Sequence, residues 1–262
     1  MPFHPVLAIK PIMKKFLLLT ALISLGLAPA FAQVGPGGGG PNLGGAMDKL
    51  FGVNQAFSAK MDFQTSQGQG NPLTVPGKIS FDSGKSRFEM NMSEMRGSQM
   101  PPNAGAQLKA MGMDTVISIS RPDLKLGYLV YPGLSSYTEI TAHDSTNTSS
   151  PDDFKVVTVE AGQETVDGHD CAKNNVTVTG KDGVKHEYTV WNATDVKNFP
   201  VKVVTTEAGS SVTMVFRNVS LGKPAAGTFD PPAGYSKYDN AQTMLQTEMM
   251  KKMGGGAPPA PH

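Results

Sequence analysis

The chain has 262 residues, with 23 basic and 22 acidic side chains, a formal net charge of +1 at pH 7 and a single cysteine. This near-neutral balance excludes the broad basic surface that nucleic acids and anionic membranes attract. The lone Cys171 excludes an intramolecular disulfide, so the fold must depend on an apolar core.

Residues 13–32 have the three parts of a secretory signal peptide. Met13-Lys14-Lys15 forms the basic start, an uncharged apolar run follows over 16–27, and the small residues Ala30 and Ala32 suit a signal peptidase. The apolar run is shorter than the roughly 20 residues that cross a bilayer, which disfavours a retained anchor. We expect cleavage after Ala32, a periplasmic or secreted location in a Gram-negative-type bacterium, and no membrane span in the mature chain.

Low-complexity segments bound the rest of the chain. Residues 33–46 are rich in glycine and residues 254–262 consist mainly of Gly, Ala and Pro, compositions that bury too little apolar surface to offset the entropy of ordering. We therefore expect a flexible linker over 33–46, one domain over 47–253 and a disordered tail over 254–262. Residues 1–12 add nothing to the export signal and are interpreted as an upstream extension.

Within the predicted domain, apolar and polar residues alternate with period two, as in strands with one buried face. Turn-forming pairs such as Pro132-Gly133 and Asp167-Gly168 separate the runs, and these short connections favour an antiparallel meander over βαβ units. We predict a mainly β (α+β) fold with a single curved antiparallel sheet. Its strands are expected at 57–65, 76–82, 86–93, 115–120, 125–131, 136–141, 155–165, 172–179, 185–191, 200–207 and 211–219.

Helical spacing predicts three short helices beside the strands. The first two are indicated by Met47, Leu50 and Phe51 and, after an Asn103 cap, by Leu108 and Met111. The third follows a cap at Ser236 or Asp239 and carries an apolar stripe of Tyr238, Ala241, Leu245 and Met249. We expect these helices to cover the concave face of the sheet, which must otherwise be filled by side chains or by a ligand.

Sequence signatures of catalysis are missing: the chain has no Gly-x-Ser-x-Gly elbow, no phosphate loop, no His-Glu-x-x-His and no Cys-x-x-Cys. We therefore expect no enzymatic activity and no cofactor. His169 and Cys171 share one face of a predicted strand, but His186 lies roughly 20 Å further along the hairpin, which leaves too few ligands for zinc. Cys171 is interpreted as a small buried side chain.

Methionine is abundant, as in Met90-Asn91-Met92 and Met111-Gly112-Met113. Clustered thioethers outside the cytoplasm can bind Cu(I), a soft ion. Flexible methionines also fill irregular cores and line surfaces that accept varied apolar partners. Because no histidines accompany these methionines, we favour packing or apolar binding over a copper site.

Several motifs occur in order along residues 57–238. They are Gly77-Lys78-Ile79 before Arg87-Phe88, Leu129-Val130-Tyr131-Pro132 before Tyr137, Asp167-Gly168-His169 before Cys171, Val190-Trp191 before Phe199-Pro200, and Phe229-Asp230-Pro231-Pro232 before Tyr235. Together they resemble the lipoprotein-carrier-like (LolA-like) superfamily of bacterial periplasmic proteins, and especially an exported family of unassigned function within it. The resemblance implies an incomplete β-barrel around an apolar cavity, lidded by helices, in proteins that carry lipids or the acyl chains of lipoproteins.

We expect the concave face to hold an apolar ligand such as a lipid or an acylated peptide. Arg87 matches a recurring arginine in the resemblance and is a candidate polar contact, although alternation places it on the face opposite Phe88. The alternative function is a non-enzymatic envelope module with a self-filled core and a protein partner, and methionine-based copper binding ranks third. The candidate apolar residues are Phe88, Met90, Met92, Leu129, Tyr131 and Trp191.

Overall fold

The computed structural model describes residues 45–67, 72–97, 101, 103–141, 154–207, 210–252 and 254. The predicted upstream extension, the signal peptide and most of the linker lie outside these residues, as does the tail beyond Gly254. Among the described residues, no helix is long and apolar enough to cross a membrane.

One sheet of twelve strands dominates the fold and is not closed into a barrel. Eleven strands match the predicted ones, which confirms the mainly β fold. Their bounds are β1 Ala56–Gln67, β2 Leu73–Asp82, β3 Lys85–Asn91, β4 Thr115–Arg121, β5 Leu126–Tyr131, β6 Ser136–Thr141, β7 Phe154–Val166, β8 His169–Gly180, β9 Lys185–Ala193, β10 Phe199–Glu207, β11 Ser210–Leu221 and β12 Ser236–Tyr238.

The strand order is β12-β6-β5-β4-β3-β2-β1-β11-β10-β9-β8-β7. Neighbouring strands are antiparallel, except that β12 runs parallel to β6. The predicted antiparallel sheet is therefore confirmed apart from this three-residue edge strand, which the sequence pattern placed near the start of a helix. Strand β1 pairs with β11, so two successive meanders join in the middle of the sheet.

Among the described residues, three α-helices accompany the sheet: α1 Gly45–Asp48, α2 Ala104–Met111 and α3 Ala241–Lys252. Helix α3 starts later than predicted because the side chain of Asn240 accepts a hydrogen bond from the Thr243 amide, 2.8 Å away. Helix α1 begins at Gly45 and buries Ala46, the last residue of the predicted linker.

Helix α1 continues into a 3-10 turn, Lys49–Phe51, and we call residues 45–51 the plug. The ring of Phe51 is 1% exposed and lies 4.6–6.0 Å, between centroids, from four other phenylalanine rings. These rings come from two adjacent strands on each side of the β1–β11 junction, so the sheet curves around the plug. They belong to Phe57, Phe81, Phe199 and Phe216.

The convex face carries a second, smaller apolar cluster. Ile117, Ile119 and Val130 are buried there beneath Phe229, which belongs to the segment 222–235 between β11 and β12. We call this segment the strap, because it connects a central strand to the edge of the sheet across the convex face. Both faces of the sheet are therefore apolar near β4 and β5.

Replacing Phe51 with alanine should cost about 3–5 kcal/mol of unfolding free energy, because it leaves a cavity among four aromatic rings. Urea unfolding followed by circular dichroism measures this. Val53→Ala is the matched control, since Val53 is 87% exposed only two residues away and should change stability by less than about 0.5 kcal/mol. A loss for Phe51→Ala no larger than that of the control would contradict the role of the plug.

Candidate ligand site on the concave face

The cross-strand register brings most of the predicted apolar residues to one face of the sheet. Phe88 pairs with Ser118, which pairs with Leu129, and Met90 lies two residues from Phe88 on the same strand. Directly paired residues share a face of a sheet. Tyr131 lies on that face beyond Leu129, and Met92 follows β3 in a 3-10 turn.

These five side chains are packed against the rest of the core. Each is at most 7% exposed and belongs to the same buried cluster as the plug and helix α3. Burial removes the Tyr131 hydroxyl from water and raises its pKa to about 12. In this conformation the concave face is filled by the protein's own side chains.

Trp191 does not join these residues on the concave face. Trp191 pairs with Lys202, Lys202 pairs with Val215, and Val215 pairs with Asp62 across successive strands. The neighbouring Val190 instead lies in the row of paired residues that belongs to the concave face. The Trp191 indole donates a hydrogen bond to Glu164 Oε2 at 2.9 Å, and Lys202 Nζ lies 4.2 Å from the ring centroid. Trp191 is 5% exposed and belongs to the same buried cluster as the other candidates, but its indole nitrogen faces the charged groups Glu164, Lys173 and Lys202.

Arg87 also points away from the concave face, as alternation predicted. Its Nη1 donates to the carbonyl oxygen of Thr228 in the strap at 3.4 Å, and Nη2 lies 3.7 Å from Glu89 Oε2. Arg87 lines an open cavity of about 570 Å³ beneath strap residues 226–233. It cannot serve as the polar contact of a ligand bound on the opposite side of the sheet.

Helix α3 covers the concave face next to β6. Ala241, Met244 and Leu245 are buried in the core, and Met244 is completely inaccessible. The other predicted stripe members differ: Tyr238 belongs to β12, and Met249 is only half-buried.

A polar cluster, which we call the latch, ties α3 to β12. Glu248 Oε1 accepts hydrogen bonds from the Tyr238 hydroxyl at 2.5 Å and from Lys251 Nζ at 2.8 Å. Burial opposes ionisation of Glu248, but the bonds from Lys251 and Tyr238 outweigh it and lower the pKa of this carboxyl. The latch therefore holds a charged carboxylate, at 9% exposure, on the face of α3 that docks onto the sheet.

Small side chains interrupt the apolar lining in the centre of the concave face. Ser118 lies between Phe88 and Leu129, and Ser120 pairs with Gly127 in the next row on that face. All three small residues are half-buried, unlike the large side chains around them. We call Ser118, Ser120 and Gly127 the trough, because they are small, half-buried residues that share this face.

Helix α2 makes a different kind of contact. It buries none of its residues and packs beside the 3-10 turn that contains Met92. A Cβ atom at Gly105 would collide with the carbonyl of Ser93, so glycine is required for this close approach. Helix α2 thus borders the concave face without contributing to its core.

Candidate metal ligands do not converge. His169 Nδ1 lies 2.8 Å from Asp195 Oδ2, and Cys171 is buried with its thiol directed at the His169 carbonyl. Within the described ranges, no three His, Cys, Asp or Glu side chains are grouped for metal binding. Several of the methionines considered as copper ligands are core side chains: Met61, Met90, Met92, Met214 and Met244.

A second cavity, of about 200 Å³, lies beside the plug and is lined in part by Asp48 and Lys49. Asp48 is 7% exposed, and its Oδ1 atom has no hydrogen-bond partner among the described residues. Burial raises the pKa of Asp48 from 3.8 to about 7, against the opposing charge of Lys49. The sequence did not indicate Asp48 as a functional candidate, because acidic side chains are common at the ends of helices.

The chain resembles known proteins in its fold. No family model and no curated protein matches the chain. Solved structures similar to it include proteins of the LolA superfamily, which is the superfamily that the sequence motifs resemble.

Three of these structures cover most of the domain. A LolA superfamily protein from Nitrosomonas europaea has 10% identity and a TM-score of 0.37 over 70% of this chain and 94% of its own. Lipoprotein LppX from Mycobacterium tuberculosis has 12% identity and a TM-score of 0.34 over 69% and 93%. LprF from Mycobacterium bovis has 14% identity and a TM-score of 0.37 over 70% and 96%. Sequence identities and TM-scores this low do not support assigning a ligand or an activity to this chain.

Replacing Asp48 with asparagine should stabilise the protein at pH 8 by about 2–4 kcal/mol. The folded-state pKa lies above the ordinary value, so ionisation of Asp48 destabilises the fold as the pH rises from about 4 to about 7. At pH 5 the gain in unfolding free energy should be less than half of the gain at pH 8. Urea unfolding at pH 5, 6.5 and 8 measures the difference.

Asp82→Asn is the matched control beside the same cavity. The hydrogen bond from Lys85 lowers the pKa of Asp82, so this variant should lose stability above pH 4 instead of gaining it. A gain for Asp48→Asn that does not change with pH would contradict the assigned ionisation.

Proposed function

We propose that this protein is exported and holds an apolar ligand, an acyl chain of a lipid or acylated peptide, on the concave face beneath helix α3. The observation that carries the proposal is the trough of Ser118, Ser120 and Gly127, half-buried between large apolar residues. An acyl chain lying along the trough would contact Phe88 on one side and Leu129 on the other.

The lid supports this proposal because its contacts can be exchanged. Methionine side chains such as Met244 are unbranched and repack at low cost, so an acyl chain can replace their contacts with the sheet. The latch attaches the C-terminal half of α3 to β12 through hydrogen bonds that Glu248 and Lys251 make with the Tyr238 hydroxyl. Such bonds can hold the helix near the sheet while its apolar face moves.

The export signal supports the proposed location. Residues 13–32 have the basic, apolar and cleavage-site parts of a signal peptide, and a periplasmic binding protein must carry such a signal. The mature chain then works in an aqueous compartment where acyl chains need a carrier, because their exposure to water costs about 0.8 kcal/mol for each methylene.

A second candidate is an envelope module that binds a protein partner and no lipid. The observation in its favour is the self-filled core: Phe88, Met90, Met92, Leu129 and Tyr131 are all at most 7% exposed. A ligand must displace protein side chains to reach them, whereas a protein partner needs only the outer surface.

Native mass spectrometry of the protein purified from its own periplasm distinguishes the two candidates. The lipid-binding proposal expects an added mass that organic extraction removes, and renewed uptake when a fatty acid is supplied. A bare polypeptide mass with no uptake of oleate overturns the proposal and leaves the protein-interaction module.

Ser118→Leu tests the location of the ligand. The leucine side chain would occupy the trough between Phe88 and Leu129, so the affinity for a fluorescent fatty acid should fall about tenfold, the loss of one or two methylene contacts. Ser220→Leu, at an exposed position in β11, controls for an added apolar side chain and should leave the affinity unchanged. Equal affinities of the two variants would place the ligand elsewhere.

A further inference from the structure

Strand β7, Phe154–Val166, forms one end of the sheet. Within the described residues it pairs only with β8, so its outer edge has no strand partner there. Such an edge can pair with any strand that approaches it, because unpaired N–H and C=O groups act as a template. At the opposite end of the sheet, β12 has only three residues.

The side chains of β7 make this edge unusually apolar. Val156, Val157 and Val159 are 39%, 48% and 59% exposed, and alternation places Val156 on the face opposite the other two. No charged residue lies between Lys155 and Glu160. Natural edge strands normally carry charges, prolines or bulges that prevent pairing, and residues 156–159 contain none of these protections.

We propose that β7 pairs antiparallel with β7 of a second copy of this chain, about a two-fold axis at Thr158. The axis must pass through a residue, because hydrogen-bonded and non-hydrogen-bonded pairs alternate along an antiparallel ladder. With Thr158 at the centre, Val157 of each copy faces Val159 of the other. The same surface serves both copies, as in other two-fold dimers.

Charge favours a second copy in this orientation. Lys155 and Glu160 flank the apolar stretch with opposite signs, and the antiparallel arrangement brings the Lys155 end of one strand to the Glu160 end of the other. A parallel copy would instead align like charges, which destabilises neighbouring strands.

The bulge in β7 sets the length of the interface. The register with β8 shifts between Glu160 and Gln163, and Gly162 adopts a φ of 110°. Regular pairing therefore ends near Glu160, and the free regular edge is the short stretch 154–160. Thr158 lies close to the middle of this stretch.

Sedimentation equilibrium of the purified protein tests the dimer. The proposal expects a reversible monomer–dimer equilibrium, and Val159→Lys should raise the dissociation constant about tenfold or more, because the change occurs twice across the axis. Val53→Lys is the matched control at an exposed position outside β7 and should leave the constant unchanged. A protein that stays monomeric at about 100 μM, or a dimer that Val159→Lys leaves intact, overturns the proposal.

Cysteine cross-linking tests the register. Facing Cα atoms in an antiparallel pair are about 4.5–5.5 Å apart, within the range of a disulfide, and the native Cys171 is buried. Single cysteines placed at positions 155–160 should give the most oxidised dimer at Thr158→Cys and less toward both ends. Cross-linking at β7 no greater than for Val53→Cys overturns the proposed pairing.

Discussion

The packing of Phe51 against four phenylalanine rings determines the shape of this molecule. Phe57 and Phe81 come from strands before the central junction, and Phe199 and Phe216 come from strands after it. A flat sheet could not bring all four rings to one side chain, so the sheet must bend around the plug. Its two ends stay apart, and the fold remains an open half-barrel with an inner apolar face.

That inner face combines a filled apolar core with a few small, half-buried residues. Large residues such as Phe88 and Leu129 are almost completely buried, while Ser118 between them keeps part of its surface accessible. The covering helix α3 is attached to the sheet by the latch as well as by apolar contacts. The aromatic rings around the plug belong to β1, β2, β10 and β11, whereas α3 contacts β6 and β12, so the lid can be adjusted without removing the aromatic centre.

Much of the fold could be predicted from the sequence, because period-two alternation and turn residues are local signals. The pairing of β1 with β11 could not, since it joins residues 143 to 164 positions apart and leaves no local pattern. The orientation of Trp191 could not be predicted either, because Val190 and Trp191 are both apolar and alternation does not decide which one points inward. Strand β12 was missed because three residues are too short for a periodic signal.

The pairing of β1 with β11 also governs the order in which the chain can fold. Phe57 pairs with Leu221, and the ring of Phe51 needs Phe199 and Phe216 as partners, so the aromatic centre stays incomplete until β11 has been synthesised. Folds with such distant contacts have high contact order and form slowly. In the export proposed for this chain, the delay would leave the aromatic centre incomplete until almost the full length has been made.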